Sequence, residues 1–350
     1  MSTSTEFTDV PMPRLRSAQA WWNLVVHTCC RTSSASILIL LLMYWLYASW
    51  TILVLLVLAI LAALYQYQDT FLYFPDQPES SRVFVQTPNT IGLPYENIYI
   101  KTKDGVKINA VFIKQPANRL ATAPTVIFLH GNAGNVGHRL INAKALHSFC
   151  GCNIFLLEWR GFGKSDGLAS EYGMKMDAEG GLEFLLSRED IDRRRIIVYG
   201  RSLGGGVAVH LAASKLYQDK IFALMLENTF TSIPDMAHVL FPLTKYLPLF
   251  CYRNKFMSID EIKRVTSPTL FISGMADTLV PPKMTHDLYT LCGSPLKRIE
   301  CFESGTHNGT WQCYGYYEAL NRFLAEVIDS LHPNNPKISD LPGPSNSSKS

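Results

Sequence analysis

The sequence predicts an α/β fold in which helices flank a mostly parallel sheet of eight strands, preceded by a single transmembrane helix. Short apolar runs rich in Val, Ile and Leu alternate with segments of helical length, a pattern typical of strands buried on both faces of a parallel sheet. Asp104-Gly105 joins the first two runs as a hairpin turn. Near the N-terminus, a long stretch without any charged residue is typical of a membrane span.

The uncharged stretch extends from Thr32 to Gln68, and its most apolar part predicts a transmembrane signal-anchor helix over residues 37–65. About 29 residues make a helix of ~43 Å, which suits one tilted span and is too long for the apolar region of a cleaved signal peptide. A buried core helix is the alternative, but it would normally show a polar face, which this stretch lacks.

The charges flanking the span predict its orientation, because Lys and Arg are retained on the cytoplasmic side. Basic residues precede the span, and acidic residues come first after it: Arg14, Arg16 and Arg31 against Asp69, Asp76 and Glu79. We therefore expect residues 1–36 to be a cytoplasmic segment. The chain would be a single-pass type II membrane protein, with its folded domain in the lumen or outside the cell.

After the span, the sequence predicts a membrane-proximal connector over 66–95, an α/β domain over 96–331 and a disordered, Pro- and Ser-rich tail over 332–350. The first two strands form an antiparallel hairpin, and the other six lie parallel. The predicted strands are Ile98–Thr102, Val106–Ile113, Thr125–Leu129, Asn153–Leu157, Ile196–Tyr199, Ile221–Leu226, Thr269–Ile272 and Arg298–Phe302.

The interval between Leu226 and Thr269 is longer than a crossover between parallel strands requires. It contains two apolar, Pro-containing stretches, at 239–243 and 246–252. We expect residues of about 230–265 to form a small lid over a pocket at the carboxyl edge of the sheet. The alternative is an extra pair of helices packed on the core.

The segment Gly200-Arg201-Ser202-Leu203-Gly204 follows a β-branched strand and precedes a helix-compatible stretch. In such a strand–turn–helix, a strained turn lifts the serine hydroxyl into a pocket. Three successive glycines open the following helix poorly, and close packing at this turn explains them better. Ser202 is therefore the predicted nucleophile.

A serine needs a base, itself oriented by an acid, and both are expected downstream of the nucleophile. Asp277 lies in a turn-rich loop after a strand and is the predicted acid; Glu227, at the end of another strand, is the rival. His307 follows the last strand and is the predicted base. The backbone N–H groups of Leu203 and Asn132 are the predicted oxyanion-hole donors.

Several function classes are excluded by composition. The net charge is +3, from 32 basic and 29 acidic residues, and no basic cluster with interleaved aromatics occurs, so nucleic acid is not an expected partner. The spacing of Cys150 and Cys152 does not fit a zinc site. We expect no metal and no cofactor.

Together, these motifs resemble the Bem46-type α/β-hydrolases over about residues 69–331. The resemblance implies that Ser202, Asp277 and His307 are nucleophile, acid and base in an α/β-hydrolase fold. It also implies a substrate range that includes acyl-protein thioesters, since the group contains protein depalmitoylases. Glu158 departs from the Asp common in the group. The motifs that carry the resemblance are His130-Gly131-Asn132-Ala133-Gly134-Asn135, Trp159-Arg160-Gly161-Phe162-Gly163-Lys164-Ser165, Gly200-Arg201-Ser202-Leu203-Gly204-Gly205 and His307-Asn308-Gly309-Thr310-Trp311-Gln312-Cys313.

The expected function is a membrane-anchored serine hydrolase that cleaves a lipid ester or an acyl-protein thioester through an acyl-enzyme. A peptidase of the same fold and a non-catalytic, membrane-anchored binding protein are the alternatives. Asn308 and Asn346 lie in glycosylation sequons, which can be used only in the lumen. A glycan on Asn308 would crowd His307, so Asn346 is the easier acceptor.

Overall fold

The computed structural model describes residues 16–331, so Arg14, Asn346 and the tail predicted over 332–350 lie outside the described residues. Contacts divide the chain into two compact units that meet at Leu64 and Tyr65. The first unit contains most of the N-terminal helix. The second contains the α/β domain.

A single helix, α1 (Arg16–Leu72), extends beyond the predicted span at both ends. Its part from Val25 to Leu72 is long and apolar enough to cross a membrane, with a mean hydropathy of 2.4. The helix is longer than predicted because residues 16–72 contain neither Pro nor Gly, and the first helix-breaking residue is Pro75. The first part of the predicted connector is therefore helical.

The second unit has one eight-stranded sheet in the order β1-β2-β4-β3-β5-β6-β7-β8. β1 and β2 are antiparallel, β2 pairs antiparallel with β4, and β3 to β8 are mutually parallel. The predicted fold class is thus confirmed. The strands are β1 (Tyr95–Lys101), β2 (Lys107–Ile113), β3 (Thr125–Leu129), β4 (Asn153–Leu157), β5 (Ile196–Arg201), β6 (Ala223–Glu227), β7 (Thr269–Gly274) and β8 (Lys297–Phe302).

Helices cover both faces of the sheet, and two apolar clusters fill the space between the layers. One cluster packs the central helix α5 against the sheet, and the other packs α3 and α9 against the opposite face. β3 to β7 are buried throughout, as near-continuous apolar runs require. The remaining helices are α2 (Ala117–Leu120), α3 (Leu140–Phe149), α4 (Glu171–Ser187), α5 (Leu203–Ala213), α6 (Ile233–Leu240), α7 (Ser258–Glu261), α8 (Pro282–Leu291) and α9 (Tyr316–Leu331).

The interval between β6 and β7 consists of short helices with two kinds of environment. Its first part, which includes α6 and 3₁₀ turns at Pro242–Tyr246 and Leu249–Cys251, exposes large apolar side chains. Its second part packs on the core through Phe256 and Ile262, which are buried. The lid predicted over about 230–265 thus combines an exposed apolar excursion with a segment that belongs to the core.

Candidate active site

Ser202 lies in a sharp turn between β5 and α5, with a φ of 54° and a ψ of −120°. A non-glycine residue in this region is strained and is held there by its surroundings. The Ser202 N–H donates to the Glu227 carbonyl oxygen at 3.0 Å, and the Thr229 hydroxyl donates to the Ser202 carbonyl oxygen at 2.8 Å. At Gly204, a Cβ would overlap the carbonyl oxygen of Leu129. The crowding predicted from the glycines is therefore present.

Three side chains form a continuous hydrogen-bonded chain at the carboxyl edge of the sheet. His307 Nε2 lies 3.1 Å from Ser202 Oγ, and His307 Nδ1 lies 2.7 Å from Asp277 Oδ2. The other Asp277 oxygen accepts from the N–H groups of Leu279 and Val280, each at 2.9 Å. Nucleophile, base and orienting acid require this order of contacts.

The rival acid, Glu227, is fully buried and has different partners. Its Oε2 accepts from the hydroxyl groups of Tyr199 and Tyr316, the second at 2.5 Å. Burial and the Glu227 charge raise the pKa of both tyrosines, so both remain protonated donors. Glu227 forms no hydrogen bond with His307.

The loop that follows β3, residues 130–135, lies directly against the serine. A Cβ on Gly131 would lie 3.5 Å from Ser202 Cβ, at ordinary van der Waals distance, so the loop packs directly against the serine. Within residues 16–331, the backbone N–H groups of Asn132 and Leu203 have no acceptor. Leu203 also begins α5, whose helix dipole favours negative charge at that end. Both N–H groups are therefore free to bind an oxyanion.

Buried polar groups support this loop from below. Glu158 Oε1 lies 3.0 Å from His130 Nε2, while Glu158 Oε2 accepts from the Val136 N–H at 3.0 Å. Trp159 Nε1 donates to the His130 carbonyl oxygen at 2.9 Å. Glu158, the departure from the family pattern, thus ties the two ends of the loop together. The sequence indicates this role only indirectly: the loop is rich in Gly and Asn, and such a loop needs hydrogen bonds from other segments to keep one conformation.

The end of α1 is also tied to the loop, which sequence reasoning missed. The Phe74 N–H donates to the Asn132 carbonyl oxygen at 2.8 Å, and Phe74 forms a parallel bridge with Ala133. Asn132 Nδ2 donates to the Leu72 carbonyl oxygen at 3.0 Å. The segment that contains Leu72 and Phe74 is predicted from the sequence only as part of a membrane-proximal connector. It also fixes the backbone of the loop that carries the Asn132 N–H.

The same helix end contacts the interval between β6 and β7. Gln68 Nε2 donates to the Cys251 carbonyl oxygen at 2.6 Å, and Gln68 Oε1 accepts from the Arg253 N–H at 2.8 Å. Asp69 accepts from Asn254 Nδ2 at 2.6 Å. Residues 68–74 are therefore a structural part of the second unit, which contains the α/β domain.

An ion-pair network joins the buried Arg160 and Asp177 to Asp104, which is exposed. Arg160 Nε donates to Asp177 at 2.9 Å, and Arg160 Nη1 donates to Asp104 at 2.6 Å. The hydrogen bond from Arg160 lowers the pKa of Asp104 to about 2. The network joins the hairpin turn, α4 and the segment after β4.

Other predicted sites are less distinctive in the structure. Asn308 is exposed, and its Oδ1 accepts from Arg201 Nη2 at 3.0 Å. Asn346 lies outside the described residues. Within residues 16–331, no group of three or more His, Cys, Asp and Glu side chains could hold a metal ion.

Comparison with known proteins identifies the family. A sequence profile of the α/β hydrolase fold matches residues 124–246. Protein bem46 of Schizosaccharomyces pombe is 41% identical over 268 residues, which cover 76% of this chain and 88% of that protein. The chain belongs to the Bem46-like α/β-hydrolases.

Other relatives support this assignment. The α/β hydrolase domain-containing protein WAV2 of Arabidopsis thaliana is 40% identical over 77% of this chain and 91% of that protein. The membrane protein YNL320W of Saccharomyces cerevisiae is 36% identical over 76% of this chain and 91% of that protein. Among solved structures, an esterase from Pyrococcus furiosus has the same fold, with a TM-score of 0.57 and 20% identity over 70% of this chain and 95% of that chain.

Proposed function

We propose that this protein is a membrane-anchored serine hydrolase that cleaves an ester or thioester bond of an apolar acyl chain. The hydrogen-bonded chain from Asp277 through His307 to Ser202 carries the proposal. The family supports hydrolysis in general. The strained turn at Ser202 and the two free N–H groups beside it favour acyl transfer.

In the first step, Ser202 Oγ attacks the substrate carbonyl carbon while its proton moves to His307 Nε2. The carbonyl oxygen becomes an oxyanion and accepts from the N–H groups of Leu203 and Asn132. Asp277 holds the imidazole with its Nδ1–H directed at the carboxylate and stabilises the imidazolium. The imidazolium then protonates the leaving alcohol or thiol, whose bond to the carbonyl carbon breaks, and an acyl-enzyme remains.

In the second step, a water molecule replaces the leaving group. His307 Nε2 accepts a proton from this water, and the water oxygen bonds to the acyl carbon. The tetrahedral intermediate collapses, Ser202 recovers its proton from His307, and a free carboxylic acid leaves. The same oxyanion donors serve both steps.

The exposed part of the β6–β7 interval supports an apolar substrate at a lipid surface. It presents large apolar side chains to solvent: Val239, Leu240, Phe241, Leu243, Tyr246, Leu249 and Phe250. Its last turn is hydrogen bonded to Gln68 through Cys251. Gln68 is three residues after the end of the predicted span. We infer that this segment is the lid and that an acyl chain binds along its apolar side chains.

The anchor and its orientation are part of the proposal. α1 supplies one span, and the basic residues before it favour a cytoplasmic N-terminus with the catalytic unit in the lumen or outside the cell. In microsomes, protease should degrade only the N-terminal segment, and glycosidase should shift the band through Asn346. Degradation of the catalytic unit in sealed microsomes would reverse the orientation.

A substrate panel tests the proposed reaction. Purified full-length protein should hydrolyse a long-chain glycerol ester or a palmitoyl thioester, and the Ser202→Ala variant should lose this turnover. Ser330→Ala, at an exposed serine on α9, is the matched control. Turnover of peptides alone would favour a peptidase. Turnover that persists in Ser202→Ala would refute the assigned nucleophile.

A further inference from the structure

A cavity of about 290 Å³ lies beside the loops of the candidate active site. Its lining includes Ala133 and Gly134 from the loop after β3, Arg201, which precedes Ser202, and Asn308, which follows His307. Within the described residues, no Asp or Glu lines this cavity. A molecule bound here would contact the residues next in sequence to Ser202, His307 and Asn132.

The cavity contains hydrogen-bond donors without partners. Arg139 Nη2 donates to the Ala133 carbonyl oxygen at 2.6 Å, but Arg139 Nε is buried without a partner in the described chain. Asn142 is only 3% exposed, and its Nδ2 also lacks a partner there. Arg201 is 4% exposed, and its guanidinium makes one hydrogen bond, to Asn308. Between residues 16 and 331, neither arginine forms an ion pair.

Two buried carboxylates, Glu158 and Glu227, form their hydrogen bonds with other groups, and Glu227 Oε1 has no partner in the described chain. Glu158 accepts from the Val136 N–H and contacts His130 Nε2. Glu227, which pairs with Arg201 across β5 and β6 through the backbone, accepts from two tyrosine hydroxyls. Neither carboxylate contacts a guanidinium of the cavity.

Burying two arginines that contact no carboxylate is costly, because desolvation and mutual repulsion both disfavour their charges. The Glu158 charge attracts Arg139 but offsets this cost only in part, since the pKa of Arg139 is still lowered. Burial and the neighbouring Arg201 charge lower the pKa of Arg139 to about 9, so Arg139 remains charged at neutral pH. Their hydrogen bonds to a carbonyl and an amide oxygen could be made by neutral donors. The surplus positive charge is therefore explained by an anionic ligand rather than by these contacts.

We propose that this cavity is a phosphate-binding subsite that holds the headgroup phosphate of the ester substrate. The inference rests on the proposed function, because it assigns a class of substrate to that active site. Guanidinium groups bind phosphate through paired N–H donors, and the Asn142 amide adds a further donor. The volume admits a phosphate together with a small part of the headgroup. Inorganic phosphate has the same chemistry and is the other source that the experiment separates.

Two substrates that differ only by a phosphate test the headgroup. The full-length protein in nanodiscs is assayed with a 1-acylglycerol 3-phosphate and with the monoacylglycerol of the same chain. We expect kcat/KM to favour the phosphate-bearing ester by about ten- to a hundredfold, as one or two charge-assisted contacts allow. Arg139→Gln should remove most of this preference, chiefly through KM, and Arg139→Lys should keep part of it. Arg194→Gln removes an equal charge at a site 91% exposed and should leave the ratio unchanged.

Ligand binding is tested without catalysis. In Ser202→Ala, inorganic phosphate should raise the Tm by at least about 2 °C relative to chloride at equal ionic strength, since a ligand of the native state stabilises it. Adding Arg139→Gln should abolish this shift, and the Tm without phosphate shows whether that variant folds. A shift together with a substrate ratio near one would identify free phosphate as the occupant.

A substrate ratio near one together with no phosphate-dependent shift would overturn the subsite. If Ser202→Ala kept its turnover while the shift remained, the proposed function would fail and the subsite would stand. The two failures are therefore distinguishable.

Discussion

Asp277→Asn is the substitution whose effect follows most directly from the geometry. Asp277 Oδ1 accepts from two backbone N–H groups, those of Leu279 and Val280, and Oδ2 faces His307 Nδ1 at 2.7 Å. An asparagine must keep its oxygen toward the two N–H groups, because the reversed amide would set donors against donors. Its NH₂ group then faces His307 Nδ1.

This orientation fixes the wrong tautomer of the base. His307 Nδ1 must accept from the new amide, so the neutral imidazole carries its proton on Nε2, which faces Ser202 Oγ. The imidazole can no longer accept the hydroxyl proton. We expect kcat to fall by about 10⁴-fold, which corresponds to ~5.5 kcal/mol of transition-state stabilisation.

The assay is the initial rate of hydrolysis of a p-nitrophenyl ester, with the labelling rate by a fluorophosphonate as a second readout. Asp260→Asn changes an exposed carboxylate on α7 and serves as the matched control. The Tm of Asp277→Asn should stay near that of the wild type, because both backbone hydrogen bonds remain. A folded Asp277→Asn variant with a kcat within tenfold of the wild type would refute the assigned role of this carboxylate.

Three further predictions concern the support of the site. Phe74→Pro deletes the N–H that donates to the Asn132 carbonyl oxygen, whereas Phe74→Ala keeps it. The fluorophosphonate labelling rate should therefore fall about fivefold more in Phe74→Pro than in Phe74→Ala. Equal rates would contradict a role for this hydrogen bond in holding the loop. Gly204→Ala forces a Cβ against the backbone oxygen of Leu129. Urea titration should therefore show a loss of about 3 kcal/mol in the free energy of unfolding. A variant as stable as the wild type would contradict the crowding at this turn. Arg160→Lys loses the forked contacts to Asp104 and Asp177 and should cost about 3 kcal/mol, also by urea titration. Arg160 lowers the pKa of Asp104 to about 2, so the stabilisation from the Arg160–Asp104 contact is present above pH ~4 and is lost as the pH falls toward 2. Burial raises the pKa of Asp177 to about 6, so the Arg160–Asp177 ion pair already weakens as the pH falls below 6. The difference between Arg160→Lys and the wild type should therefore shrink in acid, and a constant difference would contradict the pairing.

Much of the sheet could be predicted because its signals are local. β3 and β4 have the predicted bounds, since each is an apolar run ended by turn residues. β5 extends two residues past its predicted end, to Arg201, because the strand pairs with β6 up to the nucleophile turn. The end of such a strand depends on its pairing with a strand that is distant in sequence, and no local sequence pattern indicates that pairing.

The side-chain arrangement was predictable only where chain order constrains it. The glycines that flank Ser202 predict its role. Asp277 and His307 follow strands whose carboxyl ends meet at one edge of the sheet. By contrast, nothing in the sequence indicates that Phe74 binds the loop after β3, because that contact depends on how α1 ends.

The cavity that contains Arg139 and Arg201 could not be predicted from the sequence either. Arg139 and Arg201 are separated by more than sixty positions, and each is unremarkable in its own segment. Only the fold brings them to one cavity and leaves them without carboxylate partners in the described chain. Such a surplus of buried charge is a property of three-dimensional packing.

The most direct test of the central claim is to map the site of covalent modification. Full-length protein is treated with a fluorophosphonate, digested and analysed by mass spectrometry, in parallel with Ser202→Ala. We predict a single phosphonylated serine, Ser202, and no adduct in the variant. An adduct on another residue, or equal labelling of Ser202→Ala, would contradict the assignment of Ser202 as the nucleophile.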